Sequence, residues 1–325
     1  MNDFNKKIHV VITFILMTAV GHAYSDYDNF ASSENDNCLP CQPVCCNSCG
    51  SGFAAAGLVY WRPFENGLDT CVSSEFIDEV VDGAAISILD SDRRDPRFEW
   101  SPGFWVGAGY EFACSNWAVA AFWTHFNTNS HGSGDGGGRG KFHIDFDVVD
   151  ILAAYDFKAS PCFALRPFAG VRGVRIDQKL HNGEFFDSIP FSTTTEVFTT
   201  NKKKQNFWGV GPVIGIEGDF DIGCGFSLYA EGSVSWLYGK FDVKFFEREV
   251  SIDAVDICIG RKHLDGNIAA ADAEIGVRWM TCFCDNMELV LQFGLEHHRY
   301  FNYNRIGNYG DLTFDGFNVS AGIGF

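Results

Sequence analysis

The sequence predicts an all-β chain, an antiparallel transmembrane β-barrel of about ten strands, with twelve as the alternative, long outer loops and short periplasmic turns. Three observations carry that expectation. Beyond residue 23 no apolar run reaches the ~18 residues that a membrane helix needs. From residue 53 onward, segments of roughly ten residues or more alternate in hydrophobicity, which is the weak per-segment signature of a membrane barrel. The chain closes on Phe317, Val319, Ala321, Ile323 and Phe325, an alternation that runs up to a terminal aromatic.

Residues 1–23 have the form of a signal peptide. Lys6 and Lys7 make a basic start, Val10 to Gly21 an apolar stretch, and Gly21-His22-Ala23 a small-residue cleavage site. Cleavage there predicts a mature chain beginning near Tyr24, and the next cysteine, Cys38, stands too late for a lipoprotein. Residues 24–51 are polar and aperiodic, hold five cysteines, and read as a cysteine-rich periplasmic segment with little regular structure. Residues 52–325 are left for the barrel.

Within the barrel region the predicted strands are 53–63, 101–113, 116–127, 142–158, 162–177, 205–220, 224–239, 267–282, 286–301 and 313–325. Three show the alternation plainly. Phe226, Leu228, Ala230, Val234, Trp236 and Tyr238 oppose Ser227, Glu231, Ser233 and Ser235. Ala269, Ala271, Ala273, Ile275, Val277 and Trp279 oppose Asp272, Glu274 and Arg278. Met287, Leu289, Leu291, Phe293 and Leu295 oppose Glu288, Gln292 and Glu296. Strand side chains point alternately to the two faces of a sheet, so each segment has one greasy and one polar face.

A soluble sandwich also alternates, but its strands are shorter, about 5–6 residues. Here the connections alternate between short ones (near 113–116, 158–162, 220–224 and 282–286) and long ones (64–100, 128–141, 178–204, 240–266 and 302–312). That is the pattern of periplasmic turns and outer loops. Around Val148-Val149 the apolar face changes phase, which predicts a bulge or a strand end. Segments 53–63 and 116–127 are apolar on both faces, and 183–200 and 241–258 are the stretches that would raise the count to twelve.

The net charge is −18, and near −19 without the signal region, whose Lys6 and Lys7 against Asp3 contribute +1. Such acidity gives no footprint for nucleic acid. The 12 cysteines in an exported chain read first as disulfide candidates. Cys114, Cys162, Cys224, Cys282 and Cys284 fall at the short turns, and Cys38, Cys41, Cys45, Cys46 and Cys49 in the N-terminal segment, so ten lie on the periplasmic side. Cys71 and Cys258 fall in outer loops, where they can pair with each other. Cys38-x-x-Cys41 and Cys46-x-x-Cys49 also have a zinc spacing, but the oxidising compartment favours disulfides, and no metal or cofactor is expected.

The polar faces nominate Arg166, Arg172, Glu217, Glu231, Asp272, Glu274, Arg278, Glu288 and Glu296 as lumen-lining residues, with a weak cation preference from their acidic majority. Tyr60, Trp61, Trp100, Trp105, Trp117, Trp123, Trp208, Trp236 and Trp279 are candidates for aromatic girdles. A hydrolase reading from His297-His298 with Ser233 or Ser235 fails on geometry, since adjacent strand residues face opposite ways. No Gly-x-Ser-x-Gly is present, so no catalytic residue is expected. Gly132 to Gly140 lacks the following Lys-Ser/Thr of a phosphate loop and reads as an outer loop.

Several stretches resemble the Legionella-type major outer membrane protein family of pore-forming barrels and, more distantly, the chlamydial major outer membrane proteins. They are Gly57 to Pro63 with Asn66-Gly67-Leu68-Asp69, Trp100 to Phe104 with Val106-Gly107, Phe122 to Phe126, Val148-Val149-Asp150, Leu165 to Phe168 through Arg172-Gly173 to Gln178, and Trp208 to Pro212. The resemblance covers most of 53–220, with the C-terminal third looser. It implies an outer-membrane pore or surface protein and no catalytic residues. The expected partners are outer-membrane lipid, the insertion machinery that reads Phe325 as an assembly signal, and a disulfide-linked homo- or hetero-oligomer. Two functions stay open: a pore for small hydrophilic solutes or ions, and a structural envelope protein cross-linked through its cysteines.

Overall fold

The computed structural model describes residues 51–66, 72–81, 84–93, 98–113, 115–133, 139–186, 197–250, 255–283, 287–306 and 309–325. The proposed signal peptide, the N-terminal cysteine segment and Cys71, Cys114 and Cys284 lie outside these residues. The strands are β1 (Ser51–Glu65), β2 (Val72–Val81), β3 (Ala84–Arg93), β4 (Ser101–Glu111), β5 (Trp117–Ser133), β6 (Arg139–Tyr155), β7 (Phe157–Ser160), β8 (Phe163–Phe186), β9 (Val197–Gly223), β10 (Phe226–Val250), β11 (Val255–Phe283), β12 (Met287–Tyr300) and β13 (Leu312–Gly324).

One antiparallel sheet runs β6-β5-β4-β1-β13-β12-β11-β10-β9-β8-β7, and β6 pairs directly with β8 to close it. β7 prolongs the β6 edge by four residues and pairs only β8, so the barrel has ten strands. The first and last strands meet from Phe53↔Gly324 to Glu65↔Leu312, and Phe325 and Gly52 exchange two backbone hydrogen bonds of 2.9 and 3.0 Å. Closure leaves no strand edge inside the lipid, where an unpaired amide would cost several kcal/mol, roughly. β2 and β3 form a separate two-stranded hairpin between β1 and β4.

At the turn end, Cys224-Gly225 is a two-residue hairpin loop with φ of 57° and 78°. Positive φ at both central positions matches the right-handed twist of the flanking strands, and Gly225 takes its share without steric cost.

At the loop end the strands run further than the alternation suggested. Stretches 183–200 and 241–258 add no strands; where described, they lengthen the β8–β9 and β10–β11 hairpins. Gly132 and Gly140 pair with each other, so the connection there is shorter than the glycine run. Cys258 likewise stands on β11 opposite Glu247 rather than in a loop.

These extensions escaped notice because the two faces exchange character part-way up. On β10 the outward residues Phe226, Leu228, Val234, Trp236 and Tyr238 give way to Lys240, Asp242 and Lys244. Inward, Tyr229, Glu231, Ser233 and Ser235 give way to Leu237, Phe241 and Val243. β8 does the same, Val171 passing to Arg175 and Lys179 outside while Arg172 passes to Val174 and Ile176 inside. The phase change at Val148-Val149 is this inversion. β6 keeps unbroken register with both neighbours, and no bulge is present.

The level of the inversion marks the upper membrane surface. From Phe226 to Tyr238, twelve residues at about 3.3 Å each, tilted by about 40°, rise about 30 Å, close to a bilayer core. Aromatics rim both ends of this band: Tyr60, Trp100, Phe104, Trp123, Trp208 and Phe317 above, and Trp117, Tyr155, Phe220, Phe226 and Trp279 below. Trp61 and Trp105 are not in the girdles; both point inward, and Trp61 is buried.

Above the band the barrel is filled. Val59, Trp61, Phe126, Phe142, Ile144, Phe146, Ile176, Phe207, Leu237, Phe241, Ile268, Tyr300, Leu312 and Phe314 form one apolar cluster from strands around the circumference. Val59 and Trp61 on β1 and Phe126 on β5 belong to this cluster, which accounts for the apolar inner face at the upper ends of 53–63 and 116–127. Phe314→Ala is expected to cost about 3–5 kcal/mol, as for other large-to-small core changes. Phe293→Ala, on the half-exposed lipid face, should cost clearly less. Urea unfolding of the refolded barrel in one lipid system measures both; equal losses would mean that the upper cluster is not a packed core.

Candidate functional site: the barrel interior

The inner face is built in layers. At the turn end, Arg166 on β8 donates to Glu111 on β4 at 3.1 Å and to Asp156 at 3.0 Å (Nη2–Oδ2). Across the same end Arg278 on β11 reaches two strands over to β9, to Glu217 at 2.8 Å and to Asp219. The Arg166 side of this layer is wet, with Arg166, Glu111 and Asp156 side chains 36%, 40% and 42% exposed, whereas Arg278 and Glu217 are each at 16%.

Higher up the interior is crossed by one guanidinium. Arg172 on β8 takes Asp150 of neighbouring β6 in a two-bond fork (2.7 and 3.0 Å) and extends to Asp272 on β11, three strands round. Asp272 also accepts from Ser233 on β10 at 3.0 Å and bonds His298 Nδ1 on β12 at 2.9 Å. His298 lies 3.8 Å from Glu296, and Glu296 in turn accepts from the Trp61 indole and, at 2.7 Å, from Asn318 on β13. Asn318 further holds Glu274 at 2.8 Å, and Glu274 accepts from the Tyr229 hydroxyl. The chain of contacts thus joins β6, β8, β10, β11, β12, β13 and β1 across the lumen. Arg172 and Asp272 at its centre are drier, at 11% and 10%.

Above the crossbar sits the apolar cluster, and over it the β12–β13 connection folds inward. Tyr303 and Asn304 are fully buried and Ile306 nearly so. Gln205 on β9 holds this segment from the far wall: its amide nitrogen donates to the Tyr303 carbonyl at 3.1 Å, and its oxygen accepts from the Arg305 amide at 2.7 Å. Asn304 ties the same segment to the Asn66 carbonyl (3.1 Å) beyond β1. Burial pushes the Tyr303 phenol well above its ordinary pKa, so it packs here as a neutral ring.

All nine charged residues singled out in the sequence stand on the inner face, and seven fall within these two networks. Glu231 and Glu288 share the face and make no ion pair among the described residues. The sequence reading missed Glu111, Asp150, Asp156 and Asp219. Asp150 was hidden by the apparent phase change beside it, although counting in twos from Phe142 reaches it. His297 and His298 do point apart, to Asp315 and Asp272. Ser233 and His298 each bond Asp272 and not each other, so no histidine is set to take the serine proton.

Cys162 and Cys224 occupy tight turns, and Cys282 lies near the turn end of β11. Among the described residues no group of His, Cys, Asp and Glu has the arrangement of a metal site.

The family model described as Legionella pneumophila major outer membrane protein precursor matches residues 51–320, which is the whole barrel but for its last residues. The chain belongs to that family. No curated protein matches it. Among solved structures, the outer membrane protease OmpT from Escherichia coli is 11% identical, with 85% of this chain and 96% of that one covered and a TM-score of 0.45. Ail, the attachment invasion locus protein of Yersinia pestis, is 14% identical over 85% and 99%, with a TM-score of 0.26. The Ralstonia pickettii toluene transporter TbuX is 10% identical over 85% and 89%, with a TM-score of 0.31. The family match together with the closed antiparallel sheet makes the chain an outer-membrane barrel, and the activities of those three proteins remain their own.

The crossbar gives a test of how the interior is held. Arg172→Met leaves Asp150 without its cation and Asp272 with only Ser233 and His298, and breaking a buried pair in this way costs about 3–5 kcal/mol. Adding Asp150→Asn and Asp272→Asn to it should recover most of the loss. Urea unfolding of Arg172→Met, of Asp150→Asn/Asp272→Asn and of the three together reads the coupling, and simple additivity would show that the crossbar does not form.

Proposed function

We propose that this chain is a porin-like outer-membrane barrel that stands closed, with a polar vestibule open toward the periplasm and an apolar seal at the outer end, and that it serves chiefly as a structural surface protein. It is not an enzyme. The short turns and both ends of the barrel face the periplasm, and the extended hairpins face outward. The observation that carries this reading is the seal: Phe126, Phe314, Phe207, Phe241 and Tyr303 come from four strands and the β12–β13 segment and are each no more than 1% exposed. Side chains packed that closely support a closed bore, and ten strands give a bore near that of eight-stranded barrels, which are filled.

The charged lower lumen favours a second reading, passive diffusion of small hydrophilic solutes or ions with cation preference, in a state where the β12–β13 segment has swung out. Planar-bilayer recording separates the two. The wild-type barrel is expected to give no steady conductance, whereas replacing 302–308 with a short Gly-Asn turn, together with Phe314→Ala, should admit ions. Steady wild-type conductance would overturn the closed reading and leave the porin.

The structural role is further supported by the cysteines. Cys162 and Cys224 stand in tight turns at the end of the barrel where β1 begins, and the sequence places Cys38, Cys41, Cys45, Cys46 and Cys49 shortly before β1, a covalent tether that gives a high effective concentration for pairing. The reading includes cross-links between molecules. Non-reducing electrophoresis after thiol blocking should show species above the monomer that collapse on reduction; a monomer band unchanged in amount by reductant would remove intermolecular bonding.

A further inference from the structure

The outward face just above the upper girdle carries an unusual row of charge. By register, His143 (β6) pairs Lys179 (β8), Lys179 pairs Lys204 (β9), Lys204 pairs Lys244 (β10), and Lys244 pairs Arg261 (β11). All five point away from the barrel. One pair further from the membrane the row reads Lys141, His181, Lys202, Phe246 and Ile259. The two rows together hold six Lys and Arg and no carboxylate, in a chain of net charge −18.

Like charges directly opposite across a sheet destabilise it, and here three lysines are opposed in sequence across β8, β9 and β10. The carboxylates lie one row nearer the membrane and are already engaged. Asp242 takes Arg261 at 2.7 Å and lies 3.8 Å from Lys244, and Asp177 takes Arg175. No ion pair among the described residues neutralises Lys141, Lys179, Lys202 or Lys204. Among the described residues the rest of the circumference has no such block: there Arg62 pairs Asp315 by register, and Asp315 bonds His297.

The position points to the occupant. Lys204 stands four residues above Trp208, about 10 Å higher at about 3.3 Å per residue and a tilt of about 40°. This is headgroup height for a lipid whose chains lie on Trp208, Val210 and Trp236, which are half-exposed on the same strands. A basic strip that abuts the hydrocarbon face attracts anionic headgroups. We propose that the β8–β9–β10 face is a binding site for a phosphorylated glycolipid of the outer leaflet, with Lys179, Lys204 and Lys244 sharing its phosphate. A phosphate there turns mutual repulsion of the lysines into a common attraction. The site stands whether or not the barrel conducts.

The folded full chain in phosphatidylcholine vesicles should unfold at higher temperature when bisphosphorylated lipid A is added, and should keep that lipid through detergent extraction. Lys179→Gln/Lys204→Gln/Lys244→Gln is expected to lose retention at least tenfold and to lose the thermal shift. Lys204→Glu separates the site from a structural role, because it makes a Lys-Glu-Lys row. It should raise the unfolding temperature in plain vesicles while lowering lipid retention. Unchanged retention in both variants, or equal retention of dephosphorylated lipid A, overturns the proposal. The same shift from inorganic phosphate at matched phosphate concentration would also overturn it, by assigning the site to a free anion.

Discussion

Inside hydrocarbon every backbone N–H and C=O must find its partner within the chain, and the rest of this structure depends on that constraint. It forces β1 against β13 and β6 against β8, so that the sheet has no edge in the membrane. Once the sheet is closed, each strand has one side toward its surroundings and one toward a bore, and the period of two assigns every residue to one or the other. The surroundings change at a single level, from lipid to water, while the bore changes in the opposite sense, from polar to greasy. On β10 that is the step from Tyr238 to Lys240 outside and from Ser235 to Leu237 inside.

This inversion decides what could be read in advance. Strands whose membrane part dominates their length, such as 286–301, were legible because one phase of alternation holds almost throughout. β8, β9, β10 and β11 continue well above the girdle, where a template of greasy-outside residues finds the wrong parity and reports a loop. The ten-strand topology, the short turns and the inner-face charges Arg166, Arg172, Asp272 and Arg278 follow from periodicity alone. Their pairing across the bore does not, because Arg172 and Asp272 are 100 residues apart and meet only through closure. Nor is the inward fold of the β12–β13 connection legible. It depends on Gln205, whose single amide on the opposite wall meets both a carbonyl and an N–H of that segment.

The interior has two kinds of filling with opposite energetic logic. The upper cluster gains from apolar burial and dispersion in close packing. The crossbar brings charges together in a place where desolvation offsets much of their attraction, so its net contribution to stability is small compared with the cost of losing one member. What it supplies is register: Arg172 is satisfied only when β6, β8 and β11 stand at the right heights. A shift of β8 by two residues would carry Arg172 away from both acidic partners, so the fork adds to the register that the inversion of faces already sets.

The same economy bears on the outer surface. A chain with a large negative charge at the outer leaflet would repel phosphorylated lipid wherever its carboxylates met the headgroups. Gathering cations onto one sector of the wall, at one height, gives the lipid a defined place to lie and leaves the remaining circumference free to carry acids. The lysine row also lies on the hairpins that rise furthest above the membrane, β8–β9 and β10–β11. Those hairpins lack hydrocarbon around them and, past Ala270, β11 lacks β12 as a neighbour. Anionic headgroups drawn against Lys179, Lys204 and Lys244 would brace from outside the stretch of wall that the apolar cluster fills from inside, so that lipid binding and closure of the bore stabilise the same strands.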